Sequence, residues 1–161
     1  MRSNWTRRAT ENWMFSMIYQ AQSGYPFTVS VFGDTANAGT ILGENPIRAN
    51  LTGKPIFGPG TRNAAHWVNS AAFSAPAPYT FGDVGRNSVY GPRMQTMDFS
   101  AQRTMPLHRQ MTFLVRGDLF NAFNHTNLGS PNRFVNTPQF GSITMAMTPG
   151  REIQLSGRLQ F

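Results

Sequence analysis

Arg151-Glu152-Ile153-Gln154-Leu155-Ser156-Gly157-Arg158-Leu159-Gln160-Phe161 is the stretch whose reading decides the fold. In an extended chain Ile153, Leu155, Gly157, Leu159 and Phe161 share one face, and Glu152, Gln154, Ser156, Arg158 and Gln160 share the other. A helix would scatter both sets around its circumference. The segment is therefore expected as a strand with one apolar and one wet side. Its length matches the roughly 9 to 11 residues that a tilted strand needs to cross a bilayer.

The same alternation recurs upstream. In residues 110–121, Met111, Phe113, Val115, Gly117 and Leu119 oppose Thr112, Leu114, Arg116, Asp118 and Phe120, so Arg116 and Asp118 point the same way, off the apolar face. In residues 95–105, Met97, Phe99 and Ala101 oppose Asp98, Ser100, Gln102 and Thr104. The short connection Pro106-Leu107-His108-Arg109 predicts an antiparallel hairpin between these two segments. Residues 12–23 form a fourth candidate, with Trp13, Phe15, Met17 and Tyr19 on one face and Met14 and Ile18 on the other. Residues 140–147 also read as strand-like, turned into the last strand by Thr148-Pro149-Gly150.

Strands are thus expected near 12–23, 95–105, 110–121 and 151–161, joined by long connections at 25–94 and 122–150. Long connections alternating with a tight hairpin suit an outer-membrane barrel, which has short periplasmic turns and long external loops. The fold class expected is all-β: antiparallel amphipathic strands forming the C-terminal part of a transmembrane β-barrel with long external loops, spanning residues 1–161. Four strands cannot close a membrane barrel, because the smallest have about eight and an open edge in lipid leaves backbone groups unsatisfied. The remaining strands, and an export signal, are expected ahead of Met1.

Composition narrows the function classes. Charged residues make up only 13% of the chain, while 15 Gly, 11 Pro and 13 Phe favour short extended segments and turns over helices. The net charge of +7 permits nucleic acid or an anionic membrane as partner, but the arginines stand singly apart from Arg7-Arg8 and no basic helix face occurs. Nucleic acid is not expected. With no cysteine, disulfides and thiol chemistry are removed. His66, His108 and His125 sit in unrelated segments without metal-ligand spacing, and Gly58-Pro59-Gly60 lacks the pattern of a phosphate loop. No catalytic, cofactor or metal site is expected, and the protein is not expected to be an enzyme.

Several phrases resemble the C-terminal barrel of Oar-like TonB-dependent receptors, outer-membrane proteins that bear a carboxypeptidase-regulatory-like domain. They are Gln22-Ser23-Gly24-Tyr25-Pro26-Phe27-Thr28-Val29, Trp67-Val68-Asn69-Ser70-Ala71-Ala72-Phe73, Pro76-Ala77-Pro78, Thr80-Phe81-Gly82, Gly85-Arg86-Asn87 with Gly91-Pro92, and Asp118-Leu119-Phe120-Asn121-Ala122-Phe123-Asn124-His125 leading to Asn127. They occur in the family's order. Leu159 and Phe161 resemble the terminal signal read by the barrel-assembly machinery, with Ser156 where the family often has Gly. The resemblance implies a barrel of about 22 strands around a plug, importing a bulky ligand with energy delivered through TonB.

On this reading the chain is part of a transporter in the outer membrane of a Gram-negative bacterium. Its partners are outer-membrane lipid, the barrel-assembly machinery, and the rest of the barrel with its plug, with TonB reached only through the N-terminal part. Arg116, Asp118, Glu152 and Arg158 are expected to face the lumen and pair across strands, keeping charge out of lipid. Arg103, on the apolar side, lies close enough to Pro106 to snorkel to the headgroups. Trp13, Phe99 and Phe161 suit interfacial aromatic girdles, and Trp67 and Phe73 are expected to anchor the first long loop to itself. The alternative is a secreted or surface soluble β-sandwich that binds glycans. The two differ in whether the apolar faces are covered by protein.

Overall fold

The computed structural model describes residues 10–39, 47–108 and 110–161; Arg2, Arg7, Arg8 and Arg109 lie outside these. The strands among the described residues are, in chain order, β1 (Trp13–Gln22), β2 (Pro26–Phe27), β3 (Asn50–Leu51), β4 (Phe73–Ser74), β5 (Val89–Tyr90), β6 (Met94–Pro106), β7 (Thr112–Phe120) and β8 (Glu152–Gln160). The chain divides into two units, one made of residues 10–21, 95–126 and 149–161, the other of residues 22–94 and 127–148.

The first unit is a four-stranded sheet in the order β1-β6-β7-β8. β6 and β7 pair antiparallel from Phe99↔Leu119 to Pro106↔Thr112, and β7 and β8 from Thr112↔Gln160 to Phe120↔Glu152. The hairpin is closed by the Leu107 N–H on the Met111 carbonyl at 2.9 Å and the Met111 N–H on the His108 carbonyl at 3.0 Å. Beside β6, the Asn12 carbonyl accepts from the Thr104 N–H and the Gln20 side chain meets that of Thr96 at 3.4 Å. Residue number rises along β1 as it falls along β6, so this pair is antiparallel too. A one-residue slip at any seam would turn a strand's apolar set to the opposite face. The observed register avoids this, aligning Ala101 with Gly117 and Leu155, and Met105 with Phe113 and Leu159. Gly117 and Gly157 leave room for the large neighbours beside them: a β-carbon on Gly117 would lie 3.3 Å from the Leu155 side chain, and one on Gly157 would lie 3.4 Å from the Phe113 ring.

The second unit is assembled from both long connections. Val29, Ala49, Val68, Ala72, Phe73, Val84 and Val89 are buried together, with Phe27, Ile56, Phe57, Trp67, Val135 and Phe140 packed around them. Backbone bonds run from Ala49 to Val29 and from Val84 to Ala49, while Ser30 donates to Arg133 and accepts from Val135, joining the second connection to the first. β2 pairs with β5 and β3 with β4. In Trp67-Val68-Asn69-Ser70-Ala71-Ala72-Phe73, the Asn69 side chain caps a short 3-10 turn, accepting from the Ala71 N–H at 3.1 Å and donating to the Pro55 carbonyl at 3.0 Å. Val68, Ala72 and Phe73 then enter the core, and the Phe73 ring meets Phe140 edge-on at 5.7 Å. The Trp67 indole N–H donates to the Tyr90 carbonyl at 2.8 Å.

Two of the family-like phrases contain glycines required by close approach. A side chain on Gly24 would strike the Gly91 carbonyl, and one on Gly82 would strike the backbone of Arg48 and Ala49.

Residues 140–147 do not form the expected strand. Their backbone groups go to scattered partners: the Gly141 carbonyl to Trp67, the Ile143 N–H to Ala64, the Met145 carbonyl to Gly129 and the Met147 N–H to Asn127. Gly141, at φ 76°, also breaks the extended run, and a single bridge remains between Leu128 and Ala146. Apolar spacing alone did not distinguish a strand from a segment that lines a small core.

Truncating the ring in Phe73→Ala is expected to cost about 3 to 5 kcal/mol. Limited proteolysis should then cut within residues 47–93 while β6, β7 and β8 stay protected.

Candidate functional site

Alternation places a polar surface on one side of the four-stranded sheet. Across β6, β7 and β8 it runs as the rows Ser100, Asp118, Gln154 and Gln102, Arg116, Ser156, with Thr104, Leu114, Arg158 beyond them. At its centre the Arg116 guanidinium grips Asp118: Nε lies 3.0 and 2.9 Å from the two carboxylate oxygens and Nη2 2.8 Å from Oδ1. This pairing runs along one strand between residues two apart, not across strands as expected. The reason is register: Ser156 stands opposite Arg116, and Ser100 and Gln154 stand opposite Asp118, so no opposite charge lies directly across from either. Glu152, opposite Phe120, and Arg158, opposite Leu114, occupy the same face near the two ends of β8. The four expected residues therefore share a face, but only Arg116 and Asp118 are brought together.

The other face of the sheet is apolar and uncovered. Phe15 is 73% exposed, Ile153 70% and Leu155 79%. A sheet in water would bury such a face, since each large aliphatic or aromatic side chain removed from water stabilises by roughly 1.5 to 3 kcal/mol. Its one charged residue among the described strands, Arg103, holds its guanidinium over the Trp13 ring at 5.6 Å. Leu159 lies opposite Phe113, and Phe161 follows β8 directly with 93% of its surface exposed.

The residues that shape the site most sharply were read in the sequence only as part of a resemblance. Where β7 ends, Asn121 takes φ 45° and is buried. Its N–H donates to the Asp98 carboxylate at 2.8 Å, its side-chain nitrogen donates to the carbonyls of His125 and Pro149, and its side-chain oxygen accepts from the His125 N–H. Asn124, at φ 51°, accepts from the Arg151 N–H at 3.1 Å. The two asparagines thus hold the exit of β7 against the entry of β8. Within the second unit Asn127 is buried, its side-chain nitrogen donating to the Thr148 hydroxyl at 2.9 Å and its backbone carbonyl accepting from the Met147 N–H. The available signal was the spacing of Asn121, Asn124 and Asn127 after a strand. Asparagine tolerates the left-handed region and its side chain bonds to nearby backbone.

A protein-family model described as outer membrane beta barrel domain matches residues 1–154. Comparison with curated proteins and with solved structures gives no match.

Removal of the clamp in Asn121→Ala strips these side-chain bonds from partly buried partners and leaves the residue at positive φ without the local bonds that favour asparagine there. A loss of about 1 to 3 kcal/mol is expected in urea unfolding of the micelle-bound protein. Asn121→Gly, which keeps the backbone conformation accessible, should lose less.

Proposed function

The chain belongs to the outer membrane beta barrel domain family, and from that premise we propose that it supplies membrane-spanning strands and external loops to a TonB-dependent transporter of the Oar-like kind. The observation that carries the membrane reading is the uncovered apolar face of β1, β6, β7 and β8 set back to back with a polar one. Lipid covers the first and the lumen wets the second. Neither outer edge of the sheet has a strand partner among the described residues. In hydrocarbon each unpaired backbone group there would cost several kcal/mol, so further strands must continue the ladder on both sides.

In this reading the host is a Gram-negative bacterium and the loop unit faces outward, where it meets ligand. Leu159 and Phe161 serve the barrel-assembly machinery, and the plug and TonB are reached through other parts of the barrel. Arg116 and Asp118 hold charge on the water side of the sheet and perform no catalysis; the protein is a transporter and not an enzyme. The Oar-like assignment is supported by the ordered phrases from Gln22 to Asn127 together with the structural positions that their Gly24, Asn69, Gly82 and Asn121 occupy. A soluble glycan-binding sandwich is disfavoured because no second layer covers the apolar face among the described residues.

Paired charge insertions test the membrane reading. Leu155→Arg is expected to reduce folding into lipid vesicles by about 2 to 4 kcal/mol, while Gln154→Arg, on the lumen face, should leave it near the parent value. Equal effects of the two changes, or a monomer that melts cooperatively in plain buffer, would contradict it.

A further inference from the structure

The uncovered apolar face of the four-stranded sheet is not flat. Counting from the bond between Asn12 and Thr104 sets Trp13 beside Arg103 and Phe15 beside Ala101, and the ladders carry the second of these rows on through Gly117 to Leu155. Two small residues thus stand between two large ones. The result is an open groove of about 380 Å³, floored by Ala101 and Gly117 and walled by Phe15, Met17, Phe99 and Leu119. Alternation puts all six residues on the apolar face. Its walls are bare, with Phe15 and Met17 both well exposed.

One end of the groove is charged. The next residue of this face on β6 is Arg103, whose guanidinium lies over Trp13, and Trp13 stacks on Phe15 with ring centroids 5.6 Å apart. The row of Arg103 continues through Val115 to Gly157, and the described strands place no acidic residue on this face. Glu11 precedes β1, beyond the left-handed turn at Asn12. A cation facing hydrocarbon is costly unless it meets an anion or water. Stacking on indole engages the flat face of a guanidinium, whereas a phosphate is taken by its edge. Arg103 stands three residues from Pro106, about 10 Å of strand, and so lies toward the headgroups of the leaflet on the hairpin side. A chain anchored there runs about 13 Å along β6 to Phe99, within the roughly 15 Å of one leaflet's hydrocarbon. We infer that the groove seats an acyl chain of an anionic phospholipid whose phosphate is held by Arg103. The anionic class follows from charge, because a zwitterionic headgroup brings its own cation to the site and a net negative one does not. The inference rests on the membrane reading above and deepens it by naming the lipid.

Trp13 at the groove's end reports on its occupant. The full chain is folded into vesicles of equal parts phosphatidylcholine and phosphatidylglycerol, with brominated acyl chains on one lipid or the other, and the quenching of tryptophan fluorescence is compared. Strand content by circular dichroism and protection of β6, β7 and β8 from protease establish insertion first. Quenching should show a preference of about fivefold for phosphatidylglycerol, the contribution of one basic residue near an anionic surface. Arg103→Gln should abolish the preference, and Ala101→Leu, which fills the floor and keeps the charge, should weaken it. Arg158→Gln, which removes the same charge from the opposite face, should retain it. An inserted parent that is quenched equally by the two lipids or by neither, or a preference that survives Arg103→Gln, would overturn the inference and leave the membrane reading standing. A chain that inserts into neither kind of vesicle would overturn both.

Discussion

Hydrocarbon offers no hydrogen bonds, and everything in the four-stranded sheet answers to that constraint. Each backbone N–H and C=O in lipid must find its partner in a neighbouring strand, and each side chain facing lipid must be apolar. The antiparallel ladders between β6, β7 and β8 meet the first requirement, and period-two alternation meets the second along the same strands. The two requirements are coupled through register, because a slip by one residue would keep the ladder but turn Arg116 and Asp118 toward lipid. Gly117 and Gly157 then let Leu155 and Phe113 lie across the outward face beside them. The polar side has only to keep its charges solvated, and a pairing of Arg116 with Asp118 along one strand suffices.

The connections obey the opposite rule. They are built from backbone that is mostly irregular, and they are ordered by a small apolar core and by side chains that complete backbone hydrogen bonds. Asn69, Asn121 and Asn124 each replace backbone partners that a strand would have supplied. Both long connections contribute to one core, since Phe140 from the second packs on Phe73 from the first. The second unit therefore has one core drawn from both connections, not two independent loops.

This contrast explains what was legible in the sequence. β8 runs Glu152–Gln160 where 151–161 was expected, and β7 runs Thr112–Phe120 where 110–121 was expected, because a half-wet strand writes its faces directly into alternate residues. β1 was visible despite Met14 and Ile18 on its second face. The loop unit left no such periodic trace. Val29, Ala49 and Val84 meet through contacts far apart in the chain, so the apolar pattern of residues 140–147 resembled a strand when it was lining a core. At the polar face, the shared side of Arg116, Asp118, Glu152 and Arg158 followed from alternation. Which of them would touch depended on cross-strand register, which no single strand encodes.

The central claim is that the sheet has one face in lipid and one in water. Nitroxide labels placed singly at each position of residues 152–160 in a bilayer-inserted barrel would read this directly through collision with oxygen and with a water-soluble nickel chelate. The account predicts accessibilities of period two, oxygen favoured at Ile153, Leu155, Gly157 and Leu159 and nickel favoured at the residues between them. A uniform profile, or one in which both reagents are excluded from the apolar positions, would contradict it, because the face would then be packed against protein.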